Sequence, residues 1–409
     1  MYNIPTYNEA LKLTQGKRYV PEIDQYLDAA FYEAKLVVDG YNVSIFNYRL
    51  ATYNDFKYND AFELRGLVYV FNEDGSVYKS YRLLHKFFNL NQVEETQYSL
   101  VKDRVIKSVF NKEDGSVGSF IRLPNGNVVA KSKMSFESEQ AYGMNKIYNS
   151  NSDIKRFVDW SLDNDLVAVF EYVAPHNRIV LKYDKEELIL LRLRKNSTGE
   201  YLNLQDYSDV IGGLKTAQSF DLSLDQLIEL AKTVEGVEGW VVDLDGLFVK
   251  IKTVWYCERH GLLTEDLYRE NILVKYILDD KIDDVLGQIP EDEKEAHARI
   301  EKIIAAVSKV VKMRVDSILE DWEVFQTMDD GKDWTGDLKD QLMRKSYAMK
   351  YKKTKNFGSV MSMAKGNDVY DIVTEQIARE TFRLQNARAF LFQIDPTLNF
   401  KDKKIDDED

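Results

Sequence analysis

Apolar and polar residues alternate along most of residues 31–252, and a period near 3.6 takes over after residue 264. Before the alternation, residues 6–13 and 21–30 read as helices. Residues 31–38 and 41–48, joined by Asp39-Gly40, form an expected hairpin, as do 64–71 and 76–81 around Asn72-Glu73-Asp74-Gly75. Strands are expected at 105–110 and 117–123, flanking Lys112-Glu113-Asp114-Gly115-Ser116. After Asn125-Gly126 the return strand carries Lys131-Ser132-Lys133, with both lysines on one face. Residues 136–164 read as helical, with Met144, Ile147, Ile154, Phe157 and Val158 as the apolar side. Residues 166–173 are apolar on both faces but for Glu171. Residues 179–183 and 187–193 continue the sheet, and 222–233 form an amphipathic helix through Leu224, Leu227, Ile228 and Ala231. A last hairpin, 237–242 with 247–252, turns near Asp245-Gly246. Beyond it, helices are expected over 267–286, 291–325, 338–365 and 369–392; Ile300, Ile303, Ile304, Val307, Val311, Ile318 and Trp322 carry the period of the longest.

This order of elements predicts an α+β chain. Residues 1–260 make a domain of antiparallel sheets with flanking helices, and residues 261–409 make an all-α C-terminal domain. A length of 409 residues suits two such domains. Hydrophobic residues at 44% and aromatics at 12% describe a folded chain. No run of some eighteen apolar residues suggests a membrane span, and the start has no secretory pattern. The single cysteine, Cys257, excludes an intramolecular disulfide and suits a reducing cytoplasm. One cysteine and four scattered histidines give no zinc spacing. A net charge of −13 argues against a generally basic nucleic-acid binder while leaving room for a local basic cleft. The runs Pro290-Glu291-Asp292-Glu293 and Asp406-Asp407-Glu408-Asp409 read as solvated acidity.

The chemistry centres on Lys112. A lysine at the tip of a turn between two strands is well placed to act as a nucleophile. Attack needs a neutral amine, and free lysine titrates near ~10.4, so further cations are expected around the same cleft. Asp-Gly alone marks only a turn, and the near-copy Asn72-Glu73-Asp74-Gly75-Ser76 lacks the lysine. Glu171 inside an apolar strand is costly unless it meets a cation, hydroxyl or metal. Lys250 and Lys252 share a face. A two-residue loop at Asp245-Gly246 would turn Glu238 away from them, so an odd loop or a bulge is expected if Glu238 belongs beside them. In the helical region, Arg344-Lys345, Lys350, Lys352, Lys353 and Lys355 form the most basic stretch, a solvated face or an RNA contact.

Taken together, Lys112-Glu113-Asp114-Gly115-Ser116, Phe170-Glu171-Tyr172, Glu238-Gly239-Trp240-Val241 and Lys250-Ile251-Lys252 resemble four motifs of the lysine nucleotidyltransferases, the superfamily of polynucleotide ligases and RNA capping enzymes. Glu63-Leu64-Arg65-Gly66, Lys86-Phe87-Phe88-Asn89-Leu90-Asn91, Lys131-Ser132-Lys133, Ala174-Pro175, Asn177-Arg178-Ile179-Val180-Leu181 and Trp255-Tyr256 narrow the resemblance to the RNA ligase 1 family of T-even bacteriophages. It covers residues 40–257 and fades in the helical part, where Ser346-Tyr347-Ala348-Met349 remains similar. His85 stands where the family has an acidic residue, and the Glu238–Lys250 hairpin is one residue shorter.

The resemblance implies an N-terminal nucleotidyltransferase (ATP-grasp-like ligase) domain and ATP-dependent joining of 5′-phosphate and 3′-hydroxyl RNA ends. The steps are a Lys112–AMP, an RNA-adenylate and sealing, as in tRNA anticodon-loop repair. It makes Lys112, Lys250, Lys252 and Arg65 catalytic. Tyr48, Arg65, Lys86, Phe88, Lys133, Glu171, Glu238, Lys250 and Lys252 join Lys112 at ATP. Asp114, Glu171 and Glu238 are the expected ligands of Mg²⁺ or Mn²⁺, with Asp283-Asp284 at a second metal on the leaving pyrophosphate. The RNA partner is a broken tRNA or a single-stranded end, read by the helical domain. A monomer is expected in the cytoplasm, that of the host if the chain is phage-encoded. A DNA ligase or capping enzyme is the alternative; those carry a β-barrel after the fifth motif, where this chain turns helical. A third reading is a catalytically idle RNA-binding scaffold.

Overall fold

The computed structural model describes residues 3–20, 25–177, 180–259, 269–287, 289, 294–326 and 345–398. It divides into two compact units that are not continuous in sequence. One comprises Met1–Lys17, Ala29–Glu265 and Asp283–Asp292; the other comprises Arg18–Asp28, Asp266–Ile282 and Glu293–Asp409.

The first unit holds three sheets. A four-stranded antiparallel meander runs through Phe31–Val38, Tyr41–Tyr48, Leu67–Phe71 and Val77–Tyr81, and the expected first hairpin keeps its register from Phe31 opposite Tyr48 to Val38 opposite Tyr41. A five-stranded antiparallel sheet follows the order Val128–Ser132, Ser116–Arg122, Leu166–Val173, Glu187–Lys195, Tyr201–Leu202. The third sheet follows the order Ser219–Phe220, Ser108–Asn111, Gly239–Leu244, Leu247–Lys252, Phe88–Asn89, and only its last pair is parallel.

All eight residues of Leu166–Val173 are buried, as an apolar central strand requires. Helices Glu139–Ser150 and Ser152–Asp163 cover one face of that sheet. Their buried Met144, Ile154, Phe157 and Val158 join the core of Phe120 and Phe170. Each such side chain is worth about 1.5–3 kcal/mol on burial. The single helical stretch expected over 136–164 breaks at Asn151, which ends one helix and caps the next by accepting from the Asp153 and Ile154 amides. Helix Leu224–Thr233, opened by a Ser223/Gln226 capping box, covers the third sheet through Leu224, Leu227 and Ala231.

Residues 180–183 form no strand: the Val180 and Leu181 amides donate to the Asp114 carboxylate instead of a ladder.

In the second unit, helix Lys294–Gln326 is the spine, burying Ile300, Ile303, Ile304, Val307, Val311 and Ile318; helices Glu270–Leu278, Phe357–Met363, Val369–Glu380 and Leu384–Ile394 pack on it. Buried Glu270 bonds Arg299 and accepts from Arg388 Nε at 2.9 Å, tying three of these helices. The helix expected over 21–30 is corrected where described: Gln25–Asp28 is a strand paired with Lys17–Val20, with Tyr19 and Tyr26 ring centroids 5.3 Å apart. That aromatic pair favours a ribbon over a single helical turn. The expected helix over 338–365 is interrupted between 351 and Phe357, and that over 369–392 at Thr381. Lys345, Lys350, Lys352, Lys353 and Lys355 are exposed, while Arg344 lies outside the described residues. Among the described residues no helix is long and apolar enough to cross a membrane.

Candidate active site

Lys112 does not sit in a hairpin. The strands on either side of its motif belong to different sheets: Ser108–Asn111 pairs with Gly239–Leu244, and Ser116–Arg122 pairs with Leu166–Val173. The motif is therefore the crossover between two sheets, and Lys112 stands where their facing surfaces meet. Its amide donates to the Gly239 carbonyl at 2.8 Å, and its Nζ lies 2.7 Å from Glu238 Oε1. Lys252 Nζ lies 3.1 Å from the same oxygen.

Glu238 reaches this place by a route the sequence reading did not foresee. The expected odd loop or bulge is absent. Asp245 and Gly246 form a two-residue loop with φ of 55° and 90°, Leu244 pairs with Leu247, and the register runs to Gly239 opposite Lys252. Glu238 lies just outside that ladder. Its carbonyl accepts from Thr253, and Gly239 at φ 148° breaks the alternation and turns the carboxylate onto the lysine face. A Cβ on Gly239 would stand 2.0 Å from the Ile251 carbonyl oxygen.

Gly115 also serves close approach, since a Cβ there would meet the Tyr172 carbonyl oxygen at 2.4 Å. The contact lets the Gly115 amide donate to Glu171 Oε1 at 3.1 Å. Burial pushes the Glu171 carboxyl up to about 8; Lys112 works against that shift and Glu238 adds to it. Asp114, expected at a metal, is differently engaged. It is 1% exposed, with Oδ2 accepting from Val180 (2.8 Å) and Leu181 (2.6 Å) and Oδ1 accepting from the Tyr256 hydroxyl (2.8 Å). A carboxylate holding three protein donors acts here as a clamp on the 180–181 segment.

The remaining cations line one rim. Burial brings Lys250 down to about 7, against the pull of Asp284 and Asp283. Burial also opposes the charge on Lys252, but Glu238 and Asp284 outweigh it and hold the ammonium well above its ordinary range; Asp284 Oδ2 is 2.9 Å away. Lys86 pairs with Asp283 and lies 5.1 Å from the centroids of both Tyr48 and Phe88. Lys133 lies 4.9 Å from the Tyr48 centroid. Phe88, expected against a nucleotide, is 5% exposed and packs edge-on against Tyr53, Phe56 and Phe62 beneath Lys86. Arg65 acts electrostatically on Glu171 and Lys131 and donates to the Leu84 carbonyl at 3.4 Å. Lys112, Glu171, Glu238, Lys250 and Lys252 are thus gathered by two facing sheets. Asp283, expected at a metal, is here the partner of Lys86.

Other charged groups carry no role assigned from the sequence, and Arg82, Arg192 and Arg194 are not singled out there at all. Buried Glu63 takes both guanidinium ends of Arg194 and sits 3.7 Å from Arg82. His85 packs at steep angles among the rings of Phe87, Tyr201 and Phe248, with Nδ1 2.7 Å from the Tyr201 hydroxyl, and burial holds its pKa well below the usual value. A neutral ring fits that setting. Two arginines spaced by one residue in an apolar strand, Arg192 and Arg194, were the available signal.

Residues 63–256 match the family model described as RNA ligase. The match falls on the stretch whose motifs carry the resemblance to the RNA ligases, and that resemblance is borne out there. Bacteriophage TS2126 RNA ligase 1 is 25% identical over 290 residues, spanning 66% of this chain and 69% of the relative. A Thermovibrio ammonificans protein is 29% identical over 259 residues, spanning 60% of this chain and 66% of the relative, just under two thirds of its length. Among solved structures, an archaeal ATP-dependent RNA ligase aligns over 71% of this chain and 76% of its own at 12% identity, with a TM-score of 0.43. A Naegleria gruberi RNA ligase mutant with ATP and Mn aligns over 43% and 58%, at 16% identity and a TM-score of 0.35.

Proposed function

We propose that this chain is an ATP-dependent RNA ligase that works through a lysyl-AMP. The observation that carries the reading is Lys112 Nζ held 2.7 Å from Glu238, with Glu171, Lys250 and Lys252 on the walls of the same cleft. The amine attacks the α-phosphorus of ATP. A P–N bond forms, the α–β phosphoanhydride breaks, and pyrophosphate leaves with the electron pair. Glu238 Oε1 is the nearest acceptor for the proton the amine sheds. Lys86, Lys250 and Lys252 meet the charge that grows on the phosphate oxygens. AMP then passes to an RNA 5′-phosphate. The 3′-hydroxyl of the second end finally attacks and expels AMP.

Two buried carboxylates, Glu171 and Glu238, the second raising the cost of ionising the first, suit a divalent cation such as Mg²⁺ or Mn²⁺, with Asp283 and Asp284 as further oxygen donors if the phosphates take over their lysines. Such an ion would neutralise phosphate charge. Among the described residues no preformed cluster of three or more metal-binding side chains stands without substrate, so nucleotide oxygens would complete the set. The proposed partner is a broken tRNA or other single-stranded RNA end in the cytoplasm, read in part by the exposed lysines at 345–355. Incubation with α-labelled ATP and Mg²⁺ or Mn²⁺, followed by 5′-phosphorylated single-stranded RNA, tests the reading. Label should pass from protein to RNA and then to free AMP as the RNA is sealed. Label on nicked DNA alone would replace RNA with DNA as the substrate, and no labelled protein would refute the reading.

A further inference from the structure

Behind the lysine cleft, between the second and third sheets, lies a separate cavity of about 880 Å³. Its walls include Phe110, Arg192, Tyr201, Asp243 and Phe248, and none of Lys112, Glu171, Glu238, Lys250 or Lys252 lines it. Phe110 lies on strand Ser108–Asn111, two residues before Lys112, so the cavity begins about 7 Å along the chain from the nucleophile.

Arg192 is the unusual group. It is 6% exposed, its guanidinium carbon stands 3.5 Å from the Phe110 ring centroid, and among the described residues it makes a single hydrogen bond, a 2.8 Å donation to the Leu191 carbonyl. No ion pair engages it among the described residues, in contrast to Arg194 two residues on, which Glu63 holds at both ends. Burial brings its pKa down to about 10, a shift that Tyr201 and Asp243 oppose. A guanidinium stacked on one face and holding a single protein acceptor leaves N–H donors for a ligand in the cavity it lines. Asp243 offers an acceptor in the same cavity, and Tyr201 and Phe248, 4.6 Å apart, offer an aromatic wall. The exposed Asn203 and Gln205 at the mouth add amides, and Lys107 adds a cation. A flat ligand with donor and acceptor edges and a negative charge fits this set; a nucleotide has all three.

We infer that this cavity binds an unpaired nucleotide of the RNA strand, with Arg192 and Asp243 meeting the base edge and the rim meeting the backbone. The inference rests on the RNA ligase reading. Phe110 and Arg192 line the cavity while Lys112 does not, and the volume exceeds what one base needs; both favour a strand that passes through over the base of the ATP that Lys112 attacks.

The test compares wild type with Arg192→Met and with Gln205→Trp, which fills the mouth from an exposed position. Two quantities are measured: binding of a fluorescent 5′-phosphorylated single-stranded RNA, and the rate of Lys112 labelling by ATP. Each variant should bind RNA roughly tenfold more weakly, with labelling within about twofold of wild type. Gln205→Trp keeps the test alive if Arg192→Met fails to fold. Unchanged RNA binding in a folded variant overturns the inference. So does a parallel loss of labelling with a shift in purine preference, which would give the cavity to ATP. Absence of labelling in wild type would instead refute the ligase reading.

Discussion

Glu238 Oε1 bridges Lys112 Nζ at 2.7 Å and Lys252 Nζ at 3.1 Å, although strand alternation alone would aim Glu238 at the opposite face. The reversal depends on Gly239, whose φ of 148° no side-chain-bearing residue adopts without strain and whose missing Cβ leaves room for the Ile251 carbonyl. Gly239→Ala should cost about 2–4 kcal/mol in a urea melt and abolish Lys112 labelling. A variant with wild-type stability and labelling would show that Glu238 needs no such turn.

Glu171 gives a pH signature. Its folded carboxyl titrates at about 8, against 4.5 for the free group. Between those values the folded protein keeps a proton that the unfolded chain has released, so this group makes stability fall as pH rises through that window. Without nucleotide or metal, Glu171→Gln should therefore gain on wild type as pH rises from about 5 to about 8, by up to ~1.4 kcal/mol per pH unit, and the gain should level off above. Thermal melts across that range check it. A difference that does not move with pH would mean that Glu171 is already ionised in the folded state.

Lys250 predicts proton uptake. With its pKa brought down to about 7 by burial, the amine is mostly neutral at pH 8 until phosphate charge arrives. ATP binding at that pH should take up roughly one proton, seen as a buffer-dependent enthalpy in calorimetry. Lys250→Met should lose most of that dependence. Identical enthalpies in buffers of different ionisation heat would contradict the expectation.

Asp114 should behave as a structural clamp. Its carboxylate is buried and accepts from Val180, Leu181 and Tyr256. Asp114→Ala leaves those donors without their acceptor and should cost about 3 kcal/mol or more in a urea melt, with or without Mg²⁺. A loss of Mg²⁺ affinity with stability intact would return Asp114 to the metal.

The sheet elements were legible because alternation is a local signal. The 31–48 hairpin and the buried strand around Glu171 appear where their patterns place them. Short segments misled for the same reason: residues 25–28 span one helical turn, too few to separate the two periods. The crossover at Lys112 was hidden because Lys-Glu-Asp-Gly-Ser looks like a hairpin turn, while the partners of its flanking strands lie some 50 to 130 residues downstream. The role of Asp114 was hidden too. A carboxylate beside a nucleophile reads as a ligand until the amides of Val180 and Leu181 fold onto it. Arg192 left only a faint mark, a charge in an apolar strand whose cavity exists only once two sheets face each other.

The central claim is a covalent bond from Lys112 to AMP. Intact mass spectrometry after incubation with ATP and Mg²⁺ should show one added adenylate on wild type, peptide mapping should locate it at Lys112, and Lys112→Ala should show none. An adenylate retained by Lys112→Ala, or mapped to another lysine, would contradict the account.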